Sequence, residues 1–471
     1  MTMRRKRARF IAPSLLLSAA TMLFLTGCNN NGSGDTGTGT ATTPGTTATQ
    51  KGGDPLQDTA AKPTGEKLVI AWAEWEPAKQ MEKLAADFTK ETNIPVEVQQ
   101  IPWSDFENKV KLAWSGQDPA YDIIIGDSQW LGKAATSGHY VELTDWVKTN
   151  IPVADIAPAA LKSYGEYPAG SNKLYAVPCM SDALVFAYRK DLFDDAANKT
   201  AFQAKYKKPL AIPKTWDDFK NVAEFFTQKD KNLYGAALFY SKEYDGVTMG
   251  FDPILWSYGG KLSDGKKAEG VINSPDAVKA LDYYVSLKPF TPPGSETYYF
   301  SECLRDFQEG KVAMAESWFA FLPDLVNKEK NKFADKTGYF PVPAGPKGQF
   351  VSLGGQGMSI SKYSKQEDNA KKFVAWFSKE ENQMKWAKLG GLTANNKVAA
   401  TEDFKKANPF NPVFTASVPY LKDFYNNPEY SELLTPAQNE LNAAVAGAKT
   451  PKAALDAIAK AQQPVLDAAG Q

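Results

Sequence analysis

The sequence predicts an α/β protein of two lobes, each a parallel sheet covered by helices. Length is the first observation behind this: 471 residues is about three times the ~150-residue domain prior, so at least two domains or lobes are required. Composition is the second. With 43% hydrophobic and 23% charged residues the chain can bury a sizeable core, which excludes global disorder. The third is order along the chain, where short apolar runs alternate with segments of helical periodicity, as parallel strands joined by right-handed crossovers require.

The elements follow in turn. Arg4, Arg5, Lys6, Arg7 and Arg9 precede an apolar stretch over residues 10–25, the pattern of a secretory signal. That stretch is shorter than the ~20 residues of a spanning helix and contains Pro13, so a cleaved leader is expected. It ends Leu25-Thr26-Gly27-Cys28, which resembles a bacterial lipobox; the resemblance implies a signal peptide over 1–27 and acylation of Cys28, which would anchor the body to a membrane. An ordinary cleaved signal with an incidental cysteine is the alternative. Residues 28–65 are Asn, Gly, Thr, Ser, Ala and Pro with almost no large apolar side chain, a composition read as a flexible tether.

In the body, 67–73 (KLVIAWA) reads as a strand, and Met81, Leu84, Ala85 and Phe88 mark one face of a helix. Residues 95–101 read as a second strand. Ser104 to Glu107 has capping-box spacing before another helix, and 122–125 is a third, buried strand. Further strands are expected at 183–188, 233–239 and 312–315. Helices are expected after Thr215, after Ser274-Pro275, around Phe373, after Thr435-Pro436 and after Thr450-Pro451.

The inventory of reactive residues is narrow. Lys and Arg together number 54, as do Asp and Glu, so no basic excess exists to neutralise a phosphate backbone and no nucleic-acid partner is expected. Taking the leader's five basic residues from 54 leaves 49 against 54 acids, a mature net charge of −5. One histidine, His139, and three cysteines leave little for a Cys/His metal site, and no metal or cofactor is expected. His139 is assigned a packing or capping role. With no GxxxxGK(S/T) loop, the chain is not expected to hydrolyse ATP.

Several segments then occur in a recognisable order: KLVIAWAEWEP, YDIIIGDSQWLG, YAVPCMSDALVFAYRKDLFDD, PKTWDDF, FQEGKVAMAESW and GGQGMSISKYSKQEDNAKKFVAWF. This set resembles the family 1 extracellular solute-binding proteins of ABC importers, the family that includes the maltose-binding proteins, over nearly all of residues 66–471. The resemblance implies the two-lobe periplasmic-binding-protein fold (type II-like), with lobes joined by a hinge and a ligand held in the cleft between them. It divides the chain into lobe 1 at 66–182, lobe 2 at 183–313, a return to lobe 1 at 314–380, and C-terminal helices at 381–471 mainly on lobe 2. It also implies a monomeric, exported receptor, lipid-anchored at the cell envelope, that captures a small carbohydrate or polyol. The ligand would pass to permease subunits powered by a separate ATPase, with no catalysis by this chain.

A sugar or polyol presents many hydroxyls and a patch of C–H groups, so its site needs carboxylates, amides and aromatic faces. Glu74 and Trp75 follow the first strand, where the resemblance places a polar ligand contact; Trp75 reads equally as packing on the next helix. Asp127, Ser128 and Gln129 follow the third strand and are expected to face the cleft, Asp127 accepting from hydroxyls or else capping the turn. The resemblance places an acidic contact at Asp182 and a stacking tryptophan close to Trp318. Trp256 and Gln356 are further candidates; for these, as for Trp103 and Phe251, packing is an equal reading.

Two rival functions remain open at this point. An exported hydrolase could use Gly126-Asp127-Ser128 or paired carboxylates such as Glu74 and Asp127. The same fold could bind ferric iron through Tyr298 and Tyr299. Cys179 and Cys303 could form a disulfide or remain buried thiols, since the two segments belong near opposite sides of a hinge.

Overall fold

The computed structural model describes residues 65–469. The leader, Cys28 and the tether up to residue 64 lie outside the described residues. The body opens as the apolar pattern dictates: β1 (Leu68–Ala73), α1 (Glu76–Thr92), β2 (Val96–Ile101), α2 (Trp103–Gly116), β3 (Ile123–Asp127) and α3 (Ser128–Thr136). β1 pairs in parallel with both β2 and β3. Helix α1 buries Met81, Leu84, Ala85 and Phe88, the face set by their spacing. The capping box expected at Ser104 does not form. α2 begins at Trp103, and its N-cap is Pro102, two residues before the expected cap, with no side-chain cap.

The centre of the molecule is β4 (Ala176–Arg189), which is 14 residues long. Its first half pairs antiparallel with β8 (Val351–Ile360), ending at Ala183↔Leu353. From Leu184↔Trp318 onward it pairs with β6 (Val312–Trp318), and the same half pairs with β7 (Thr337–Pro341). One strand therefore serves both halves of the sheet. β5 (Tyr234–Ala237) runs parallel to β6, and the short β9 (Leu421–Lys422) runs parallel to β8. The continuous order is β2-β1-β3-β8-β4-β6-β5. Parallel pairing holds at the two ends of that order, and the antiparallel β8 and β4 join them.

Two differences from the sequence reading have physical causes. Only 183–188 of β4 reads as a strand, because Pro178 and the polar Ser181 and Asp182 break the apolar pattern; the pairing register shifts between Pro178 and Met180, the sort of irregularity that admits a proline. Thr435-Pro436 does not open a helix. The helix Tyr430–Val445 starts earlier and contains Pro436, whereas Pro451–Ala469 begins where expected. The caps at Thr215 and Ser274 do form, each side chain accepting from the backbone N–H three residues on.

Cys179 and Cys303 are both buried and both free, so the bridge considered between them is not formed. His139 stacks on Trp114, with centroids 5.1 Å apart, and its Nδ1 meets the Tyr363 hydroxyl at 2.7 Å. That is the packing role expected of it. Among the described residues no helix is long and apolar enough to cross a membrane.

Candidate ligand-binding cleft

The carboxyl ends of β1, β3 and β6 converge where β4 changes partner, and there the chain encloses a cavity of about 330 Å³. Loops at strand ends can present side chains from both halves of a sheet, which is why such points become ligand sites. Trp75 comes from the end of β1; Asp127, Ser128 and Gln129 from the end of β3; Asp182 from β4; Trp318 from β6; and Gln356 from β8. These seven sequence candidates all line the cavity. Glu74 and Trp256 do not. Glu74 points to solvent. Trp256 is buried in the helix Gly246–Tyr258, where Lys422 Nζ lies 4.7 Å from its ring centroid.

Asp127 ends β3 at the N-cap position of α3, yet makes no capping hydrogen bond. Its carboxylate instead accepts from the Tyr244 hydroxyl and, at 2.5 Å, from Gln356 Nε2. The other end of the Gln356 amide accepts from the Trp72 indole, which fixes its orientation. Gln129 Nε2 donates to the Tyr244 oxygen at 2.9 Å. Ser128 donates to Asp423 at 3.2 Å and has no histidine partner. The nucleophile considered for a serine hydrolase is therefore not assembled.

Asp182 lies one residue before β4 changes partner. Its carboxylate accepts from the backbone N–H groups of Ala183 at 2.7 Å and Ala320 at 3.3 Å. Opposite it in register is Gly354. A Cβ at Gly354 would stand 2.8 Å from the Trp318 ring, so glycine there leaves room for the indole's close approach to β8. Its neighbour Gly355 has φ +109°, a conformation open to glycine.

Burial dominates the protonation of this cluster. It pushes Asp127 up to about 6, against the lowering effect of the Tyr244 and Gln356 hydrogen bonds. Asp182 is raised to about 8 and Asp245 to about 7 by the same desolvation, despite hydrogen bonds from backbone and from Tyr299 respectively.

Several lining residues escaped the sequence reading. Tyr244 and Asp245 sit between β5 and the helix Gly246–Tyr258, and Glu107, Phe300, Phe321 and Phe424 complete the wall. An aromatic–acid pair between a strand and a helix was a usable signal at Tyr244-Asp245. Glu107, Phe300 and Phe321 fall within or beside helical stretches, Phe424 lies in an irregular segment after β9, and none carried a signal. Tyr299, read beside Tyr298 as a ferric-binding pair, lines the cavity and bonds Asp245, whereas Tyr298 donates to Asp306 at 2.7 Å. The two hydroxyls thus serve separate carboxylates, and among the described residues no group of three or more His, Cys, Asp or Glu side chains could hold a metal ion.

A shared strand, a cleft at strand ends, and carboxylates interleaved with aromatic faces define a two-lobe α/β solute-binding protein. The chain belongs to the bacterial extracellular solute-binding protein family, whose model matches residues 72–384. A probable amino-acid ABC transporter periplasmic-binding protein of Sinorhizobium fredii is 26% identical over 399 residues, covering 83% of this chain and 87% of that protein. The structure of an ABC transporter solute-binding protein from Agrobacterium radiobacter K84 in complex with ribitol superimposes with TM-score 0.74 at 26% identity, covering 86% of this chain and all of that one. A maltose-bound protein from T. maritima shares the fold, with TM-score 0.72 at 24% identity over 85% of this chain and 99% of that one.

Proposed function

We propose that this protein is the substrate receptor of an ABC importer, capturing a sugar or polyol in the cleft and releasing it unchanged to a permease. The observation that carries this reading is the cavity itself. Two buried carboxylates, Asp182 and Asp245, and the half-buried Asp127 share with Trp75, Trp103, Phe300 and Phe321 the wall of a cavity of about 330 Å³, room for a small polyhydroxylated molecule. The ribitol complex of the Agrobacterium relative supports a polyol of that scale.

In this reading lobe 1 is built on β1, β2, β3 and β8, lobe 2 on β5, β6 and β7, and β4 belongs to both. Ligand contacts from both lobes would stabilise the closed arrangement, so binding and closure form one equilibrium that a permease can sense. Trp75, Asp127, Gln129, Asp182 and Trp318 are the proposed contacts, with Ser128 and Gln356 holding their neighbours. Cys28 is the proposed lipid anchor of a monomeric receptor at the cell envelope.

Calorimetric titration against sugars, alditols and amino acids tests the reading. Saturable binding of a sugar or alditol is expected, with the same molecule recovered intact after incubation. Binding confined to amino acids, or steady turnover of glycosides or esters, would sink it. Replacing Cys28 with Ser should move the protein from the membrane to the soluble fraction.

A further inference from the structure

We propose that the cleft selects a ligand carrying an ammonium group on a polyhydroxylated frame, an amino sugar or amino alditol. This deepens the receptor reading and rests on it. The charge of the wall is one-sided: Glu107, Asp127, Asp182, Glu243 and Asp245 line the cavity, and among the described residues no Lys, Arg or His does. Glu107 is paired with Lys111 at 2.7 Å, and Glu243 is exposed. Of the other three, Asp182 and Asp245 are buried and Asp127 is half-buried, and all are held only by neutral donors. Asp127 accepts from a phenol and an amide, Asp245 from a phenol, and Asp182 from backbone N–H groups.

Buried carboxylates without a counter-charge are costly as anions, and a bound cation removes that cost. A neutral sugar satisfies their hydrogen bonding and supplies no charge that would favour the ionised form. An amino acid brings its own carboxylate into a wall with no cation to receive it.

The aromatic residues complete the fit. Trp75 and Trp103 meet edge to face at 5.2 Å, Trp75 lies 5.8 Å from Phe321, and Phe321 stacks on Phe300 at 4.1 Å. Such faces attract a cation through the ring quadrupole and cover the C–H patch of a sugar. Trp75 is 9% exposed, its ring set in the cavity wall. A sugar ring or alditol chain offers these faces C–H groups flanked by hydroxyls, which a bare polyamine lacks.

Calorimetric titrations of the purified protein would pair each amine with its neutral counterparts: glucosamine with glucose and N-acetylglucosamine, and 1-amino-1-deoxysorbitol with sorbitol. A charge-assisted contact to a buried carboxylate should favour the amine by roughly 10- to 100-fold. Neutral counterparts binding as tightly as the amines would overturn the proposal and leave the receptor reading intact. So would binding of neutral sugars or alditols with no amine bound. Spermidine binding more tightly than every amino sugar would overturn the polyhydroxylated frame. If amines, sugars and alditols all fail to bind, both readings fall. Asp127→Asn, Asp182→Asn and Asp245→Asn keep shape and remove charge; at least one should bring the amine-to-neutral ratio close to one, and an unchanged ratio in all three would overturn the proposal.

Discussion

The Tyr244 hydroxyl donates to Asp127, and its oxygen accepts from Gln129 at 2.9 Å. Residue 244 thus bridges the segment after β5 to the end of β3, tying elements of the two sheet halves together at the cleft. Tyr244 adopts φ +50°, a left-handed conformation uncommon for a non-glycine residue. Its phenol is therefore delivered to Asp127 by a backbone bend that tyrosine does not favour.

Tyr244→Phe removes both hydrogen bonds and keeps the ring against Trp103, which it meets at 5.9 Å. Asp127 keeps Gln356 as its donor, so the loss should be about 1–3 kcal/mol, or roughly 5- to 150-fold in ligand affinity. Titration of the variant beside the parent protein checks this. Unchanged affinity would show that the bridge has no share in closure.

Gly354→Ala tests the seat of Trp318. The added methyl would stand 2.8 Å from the indole and 3.3 Å from the Asp182 Cβ, and both neighbours are buried. Overpacking of this kind costs about 1–3 kcal/mol in stability. The displaced indole should also weaken ligand binding by more than tenfold, an order-of-magnitude expectation for a misplaced contact residue. Thermal unfolding and titration of the same sample separate the two effects; intact binding would remove Trp318 from the site.

The legible parts of this molecule are those where local pattern coincides with global role. The β1-to-β3 alternation was readable because buried parallel strands are continuous apolar runs. Asp127 was readable because the end of a strand faces the cleft, and Asp182 and Trp318 through the family resemblance. What stayed hidden depends on pairing between distant segments. The first half of β4 becomes a strand only because β8 pairs with it, and Tyr244 and Phe321 enter the cavity through tertiary placement that no local period records. Trp256 shows the converse: cleft contact and packing are equal readings of the sequence there, and the residue is buried in a helix away from the cavity.

Trp256 supplies a prediction of its own. It packs against Phe350, with ring centroids 6.5 Å apart, beneath Lys422, and it does not line the cavity. Trp256→Phe should cost about 1–3 kcal/mol in unfolding free energy through lost burial and cation–π contact, while the ligand dissociation constant stays as it was. Denaturant unfolding and titration measure the two quantities. A large affinity loss with stability retained would return Trp256 to the site.

The pH dependence of the unliganded fold follows from the same burial that shapes the cleft. Asp127 is raised to about 6, Asp245 to about 7, and Asp182 and Glu316 to about 8, desolvation being the largest cause for each. A carboxyl raised above its unfolded value binds a proton more tightly when folded. Its stabilising contribution is full below the unfolded value near 4 and is lost as pH rises through the folded one. The unliganded protein should therefore melt at progressively lower temperature as pH climbs from about 5 to about 8.5, opposite to the trend set by salt-bridged carboxylates. Glu316 lies outside the cavity wall, where its Oε2 accepts from Phe239 N–H at 2.7 Å. Glu316→Gln should accordingly flatten part of the slope without changing ligand affinity. Melting curves across that pH range decide the matter: a melting temperature that rises toward alkaline pH would mean these carboxyls are ionised in the fold at neutral pH.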